Sequence, residues 1–169
     1  ARATPLLDTM RTEVISGQFL DVFAQAEPIG AVDLMTLVPQ VVEFKTSRYT
    51  VIRPLQLGAA LAGGSDAALL ALGAYGSPLG RAFQFRDDVL GVFGEPEVTG
   101  KPAGDDLREG KRTVLVAHAL ELASDTAKER LAGLLGNAEL DATDVATARE
   151  IIVTSGALAA TEQRIADDL

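Results

Sequence analysis

Polar and apolar positions along this chain recur at helical spacing, and no stretch keeps the period-two alternation of a strand. Leu6, Leu7, Met10 and Val14 make one stripe, so a first helix is expected over about residues 5–25, with Thr4 as its cap and Pro5 in its first turn. Beyond Gly17, the residues Phe19, Leu20, Val22 and Phe23 spread over other faces, which predicts burial on several sides. After a turn at Glu27-Pro28-Ile29-Gly30, a second helix capped by Asp33 should reach about Tyr49 and kink at Pro39, whose ring removes a donor. A third helix, residues 51–61, tolerates Pro54 in its first turn and stops at Gly63-Gly64. The fourth, capped by Ser65 or Asp66, runs from about Ala67 towards Val92. A kink or break is expected near Ser77-Pro78, where glycines weaken it. Residues 94–110 read as a loop by their Gly and Pro punctuation. A buried helix over 113–122 follows. Amphipathic helices over about 125–135, 142–153 and 156 onward complete the chain, with Asp125, Asp141 and Ser155 near their caps. Asp167-Asp168 reads as a frayed acidic end.

The pattern therefore predicts a single all-α domain over residues 1–169, long enough to bury a real core. Composition sharpens this. Apolar residues make up 47% and aromatics only 5%, which favours packed Ala- and Leu-rich helices. A net charge of −9 argues against nucleic acid as a partner and against docking on an anionic membrane. No apolar run approaches the ~20 residues of a membrane span, and no signal-peptide core or membrane anchor is evident. The absence of cysteine removes disulfide and thiol chemistry and fits a cytoplasmic location. The one histidine, His118, lies in the apolar run TVLVAHALELA and reads as a packing residue, so Zn²⁺ sites and histidine-based nucleophile systems are excluded. Neither a phosphate-loop nor a dinucleotide-binding glycine motif occurs. What remains is carboxylate, ammonium, amide and hydroxyl chemistry, which points to Mg²⁺ and phosphate.

Those groups concentrate between Phe83 and Thr113. Gln84, Asp87 and Asp88 stand at i, i+3 and i+4, on one helix face. Two adjacent carboxylates repel unless a cation stands by them, and Lys101 and Lys111 follow in and after the loop. Together they suit a site where Mg²⁺ bridges carboxylate to phosphate and ammonium groups hold the other oxygens. Two further strings stand out: GQFLD, with Gln18 and Asp21 at i and i+3, and KTSRY, where Lys45 and Tyr49 share a helix face. Each also has a plainer reading. Asp87 and Asp88 fit a solvated face, Gly17 close helix packing, and Lys45 a helix C-terminus whose dipole it complements.

The string FQFRDDVLGVFGEPEVTGKPAGDDLREGKRT resembles the second aspartate-rich region of the trans-isoprenyl diphosphate synthases, the polyprenyl synthetase family. KTSRY resembles that family's allylic-diphosphate motif, and GQFLD a string on a helix lining its cavity. The resemblance implies a partial isoprenoid-synthase helical bundle that lacks its N-terminal helices, corresponding to the C-terminal half to two-thirds of such an enzyme. It implies Mg²⁺-dependent condensation of isopentenyl diphosphate with an allylic diphosphate, three Mg²⁺ ions per complete site, and a homodimer of the geranylgeranyl/farnesyl diphosphate synthase type. By the same resemblance Lys45, Asp87 and Asp88 are catalytic. Gln18, Lys45, Thr46, Gln84, Lys101 and Lys111 bind substrate. Asp87 and Asp88 are the metal residues, Asp87 being the direct ligand. Two departures stand against the pattern. The second motif is usually DDxxD, but Gly91 occupies the fifth position, and the earlier aspartate-rich motif is absent, so product length cannot be read from this chain. Three rivals are a non-catalytic subunit of a heteromeric prenyl synthase, a class I terpene cyclase and a plain helical interaction domain. The cyclase's second metal motif finds only Asp33-x-x-Thr36-x-x-x-Gln40, which ends in glutamine.

Overall fold

Helix formers dominate the sequence, and the computed structural model, which describes residues 2–100 and 102–169 without the side chains of Val98 and Thr99, contains helices as its only regular structure. The first is α1 (Ala3–Ala26), close to the expected span. Next come α2 (Leu34–Val42), a wider π-helical segment π1 (Glu43–Ile52) and α3 (Arg53–Leu61), joined end to end. Asp33 caps α2 as its sequence suggests, accepting from the backbone of Met35 and Thr36. The helical rod does not break near residue 50, where two separate helices were expected. Pro54 explains the wide turn before it. Its ring would collide with a carbonyl four residues back in an α-helix. With hydrogen bonds running to the fifth residue, as from the Arg53 N–H to the Arg48 carbonyl, the rod passes that proline intact.

Capped by Ser65, α4 (Asp66–Phe93) likewise runs through Ser77-Pro78 without the expected break. Tertiary packing overrides its weak middle. π1 lies along α4 more extensively than any other pair of elements in the fold. At Gly80 a Cβ would come 2.5 Å from Ser47 Cα, so the two backbones are in contact there. On the other flank of π1, a Cβ at Gly17 of α1 would lie 2.6 Å from Lys45 N. One helical segment is thus held between two side-chain-free positions of its neighbours.

The expected loop contains two short turns, α5 (Pro96–Thr99) and α6 (Asp105–Arg108). Then come α7 (Val114–Leu122), α8 (Asp125–Leu134), α9 (Ala142–Thr154) and α10 (Ala157–Asp167). Thr113, Ser124 and Asp141 cap α7, α8 and α9, the last as a capping box with Asp144. One core gathers Leu107, Leu115, Leu131 and Ile152. A second gathers Val38, Val42, Phe85, Val114 and Ile165. Each such side chain contributes roughly 1.5–3 kcal/mol when buried.

Three expectations resolve differently or more sharply. His118 is buried, with Nδ1 2.9 Å from Thr161 Oγ1; Thr161 donates to the Ala157 carbonyl, so the imidazole is the donor in that pair and serves packing. Asp168 is not frayed. It pairs with Arg81 and ties the end of α10 to α4, because a guanidinium fork and a carboxylate match bidentately. Ile15, Phe19 and Val22 of α1 are exposed rather than buried, all on one side of the helix.

Replacing Gly80 by Ala should destabilise the fold by about 1–3 kcal/mol through overpacking. Gly133→Ala in α8, where an added Cβ meets nothing within 4 Å, should stabilise it by about 0.5–1 kcal/mol. Urea unfolding of both variants checks the contrast.

Candidate functional site

Because Gly17 lets α1 touch π1, Asp21, one turn further along α1, meets Lys45, and the two form an ion pair. Asp21 is buried and also accepts from Gln25 at 2.9 Å. Because Gly80 lets α4 touch π1, Thr46 donates to Gln84 Oε1 at 2.7 Å. The carboxylates on its other side, acceptors when ionised, fix which end of the Gln84 amide is which. Its Nε2 then donates to Asp88 Oδ1 at 2.9 Å and to Asp87 Oδ2 at 3.3 Å. These residues line a cavity of about 240 Å³, with Val38, Val41 and Val42 as an apolar wall and Lys111, Arg112 and Thr113 completing it.

Lys45, Thr46, Gln84, Asp87, Asp88 and Lys111 thus meet at one place, although residues 45 and 111 are far apart in the chain. Gln18 does not join them. It is exposed on α1, outside the cavity lining, as is Tyr49. Lys101, an expected substrate residue, lies outside the described residues.

The two adjacent aspartates part company. Asp87 is exposed, with Gln84 as its hydrogen-bond donor. Asp88 is only 2% exposed and faces Lys111, whose Nζ lies 3.1 Å from Asp88 Oδ1 and 3.2 Å from Asp106 Oδ2. Burial pushes the Asp88 carboxyl up to about 6, against the lowering effect of Lys111 and Gln84. For Lys111 burial opposes the charge, but Asp88 and Asp106 outweigh it and raise its pKa. The expected pair of metal carboxylates is therefore one open carboxylate, Asp87, and one committed to an internal ion triplet. Asp106 was not singled out from the sequence; the GDD string holding it was the available signal. Its carboxylate fills the space beside Gly91, where a Cβ would come 2.5 Å from Asp106 Cγ. The missing fifth carboxylate of the aspartate-rich motif and the position of Asp106 are one packing fact.

A larger cavity, about 680 Å³, lies on the other side of π1 between Glu43, Arg48, Ser77, Arg81, Arg164 and Asp168. Most of its polar groups are already used. Arg48 bonds Glu13 at 2.6 Å and Glu43 at 3.0 Å, Ser77 donates to Glu43 at 2.9 Å, and Arg81 holds Asp168. Glu13, buried on α1, also takes two bonds from Arg53. Size favours this cavity, but chemistry favours the smaller one, whose Asp87 carries no ion pair among the described residues.

The polyprenyl synthetase family model matches residues 1–152. The geranylfarnesyl diphosphate synthase of Aeropyrum pernix is 35% identical over 164 residues, covering 96% of this chain and 49% of the relative. The geranylgeranyl diphosphate synthase of Mycobacterium tuberculosis is 35% identical over 167 residues, covering 99% of this chain and 46% of the relative. Among solved structures, a geranylgeranyl pyrophosphate synthase from Corynebacterium glutamicum, complexed with isoprenyl diphosphate and magnesium, superposes with a TM-score of 0.93 at 47% identity. That match covers 99% of this chain and 47% of the other. A polyprenyl synthase from Caulobacter crescentus, complexed with calcium and isoprenyl diphosphate, gives 0.87 at 32% identity over 99% of this chain and 50% of that one. The chain spans about half the length of the curated relatives it matches.

Lys111→Met should cost about 3–5 kcal/mol, because it leaves two buried carboxylates without their cation. The Asp88 carboxyl sits at about 6 when folded, above its ordinary 3.8, so the folded state holds that proton more tightly and stability contributed here falls as pH rises through this window. The variant, deprived of the lowering effect of Lys111, should show this slope more steeply and regain stability at about pH 5 relative to about pH 7.5. Urea midpoints at the two pH values measure it; equal losses at both would contradict the ion triplet.

Proposed function

This chain belongs to the polyprenyl synthetase family, and from that premise we propose that it is the diphosphate-gripping half of a trans-prenyltransferase. In this reading the complete enzyme condenses isopentenyl diphosphate with an allylic diphosphate to give a longer isoprenyl diphosphate. The observation that carries it is the cavity in which Lys45 and Thr46 of π1 face Gln84 and Asp87 of α4 across an apolar valine wall.

Mg²⁺ suits this site through Asp87, an open carboxylate and a hard oxygen donor. No group of three potential ligands that could hold a metal ion exists among the described residues. Asp87 would therefore share the ion with diphosphate oxygens, water and carboxylates from outside this chain, and Asp88 would serve behind it through Gln84 and Lys111. When bound, Mg²⁺ would neutralise charge on the departing diphosphate.

The chain's own residues do the rest. Lys45, braced by Asp21, presents a compact ammonium to a phosphate oxygen. Thr46 holds Gln84, and Gln84 holds Asp87, so the carboxylate is positioned before substrate arrives. As the allylic C–O bond breaks, its electron pair leaves with the diphosphate. The double bond of isopentenyl diphosphate attacks the resulting cation, and the proton lost from the adduct passes to the released diphosphate. Val38, Val41 and Val42 keep water from the cation meanwhile. Three Mg²⁺ ions per site, a homodimer and a cytoplasmic location belong to the same reading. No described helix is long and apolar enough to cross a membrane.

In a full-length enzyme carrying this sequence, Asp87→Ala should lower kcat by roughly 10²-fold or more, since a metal ligand supplies several kcal/mol of charge stabilisation. Near-normal turnover at saturating Mg²⁺ would sink the assignment. The present chain alone should turn over no substrate, having one open carboxylate at the cavity.

A further inference from the structure

The cations around the small cavity are unequally free. Lys45 is paired with Asp21, and Lys111 is held between Asp88 and Asp106. Arg112, next to Lys111 and also on the cavity wall, has no ion pair among the described residues. Among the described residues its one hydrogen bond runs from Nη1 to the Gly110 carbonyl at 3.1 Å. Four of the five guanidinium donors are therefore unused on a half-buried side chain. Burial alone lowers its pKa, the mark of a charge with no anion beside it. Asp87 lines the same space and likewise has no ion pair among the described residues, with Arg112 or otherwise. An open carboxylate and an open guanidinium facing one small cavity leave room for a cation against the first and an anion against the second. Mg²⁺ with a diphosphate has that polarity.

We propose that Arg112 is a diphosphate-binding residue of this site, beside a Lys111 that bridges Asp88 and Asp106. The assignment rests on the prenyltransferase reading and deepens it. Gly91 shapes this wall, since its missing side chain leaves room for Asp106 to reach Lys111 there. Thr113, the third residue of the trio, is spent on capping α7, with its Oγ1 accepting from Val116 N at 3.2 Å. Of the three, Arg112 is the one with neither an ion pair nor a capping role among the described residues. Its planar fork can take two oxygens of one phosphate.

The test is calorimetric titration of the chain with inorganic pyrophosphate in the presence of Mg²⁺, alongside thermal unfolding. Arg112→Gln should raise Kd roughly tenfold or more, the loss of a charge-assisted hydrogen bond, while leaving the melting temperature unchanged. Arg112→Lys should recover part of the affinity, and Lys45→Ala should also weaken binding. Lys111→Met should instead lower the melting temperature. If Lys45→Ala weakens binding but Arg112→Gln binds as the unaltered chain does, the assignment is overturned and the prenyltransferase reading stands. The assignment also fails if Arg112→Gln lowers affinity and melting temperature together without rescue by lysine, since Arg112 would then be structural. If the unaltered chain binds no pyrophosphate at millimolar concentration, both fall.

Discussion

The backbone of π1 runs between Gly17 on one side and Gly80 on the other, and the site hangs on those two contacts. A methyl group at either position would push a neighbouring helix away by a few tenths of an ångström or more. Asp21 could then no longer brace Lys45, or Thr46 no longer fix Gln84. The widened turn serves the same end. It carries the rod past Pro54 while Lys45 meets Asp21 of α1 and Thr46 meets Gln84 of α4, so local irregularity and the candidate site coincide. Core packing beneath, through Val38, Val42 and Phe85, makes that geometry rigid.

Upon that scaffold, charge is sorted by burial. Among the described residues the buried carboxylates are matched: Glu13 by two arginines, Asp21 by Lys45, Asp88 and Asp106 by Lys111. Such pairs hold elements together and offer little to a ligand, which is why the larger cavity is the weaker candidate. Asp87 and Arg112 are the groups at the small cavity that the fold leaves uncompensated. For half-buried Arg112 this carries an electrostatic cost, and a magnesium diphosphate would remove it.

Much of this was legible before any coordinates. Helix spans and the caps at Asp33, Ser65 and Asp141 follow from spacing, and the meeting of Lys45 with Gln84 and Asp87 from the resemblance of KTSRY and of the aspartate-rich string to one family. The continuity of the 34–61 rod and of α4 through Pro78 was not legible, because propensity weighs a proline or glycine alone, whereas here each faces a close neighbour. Nor could the sequence separate Asp87 from Asp88. They are adjacent letters with equal chemistry, and only the long-range approach of Lys111 and Asp106 buries one of them. Gln18 failed to reach the cavity for a similar reason. Its helix face is set by how α1 leans on π1, which i, i+3 spacing does not encode.

That the small cavity takes a magnesium diphosphate is best tested by following backbone amide NMR signals of the chain during titration with Mg²⁺ and inorganic pyrophosphate. The account predicts shifts concentrated at Lys45, Thr46, Gln84 and Asp87, and little change when Mg²⁺ is omitted. Shifts centred on Glu43, Arg48, Arg81 and Arg164 would place the anion in the larger cavity and contradict it.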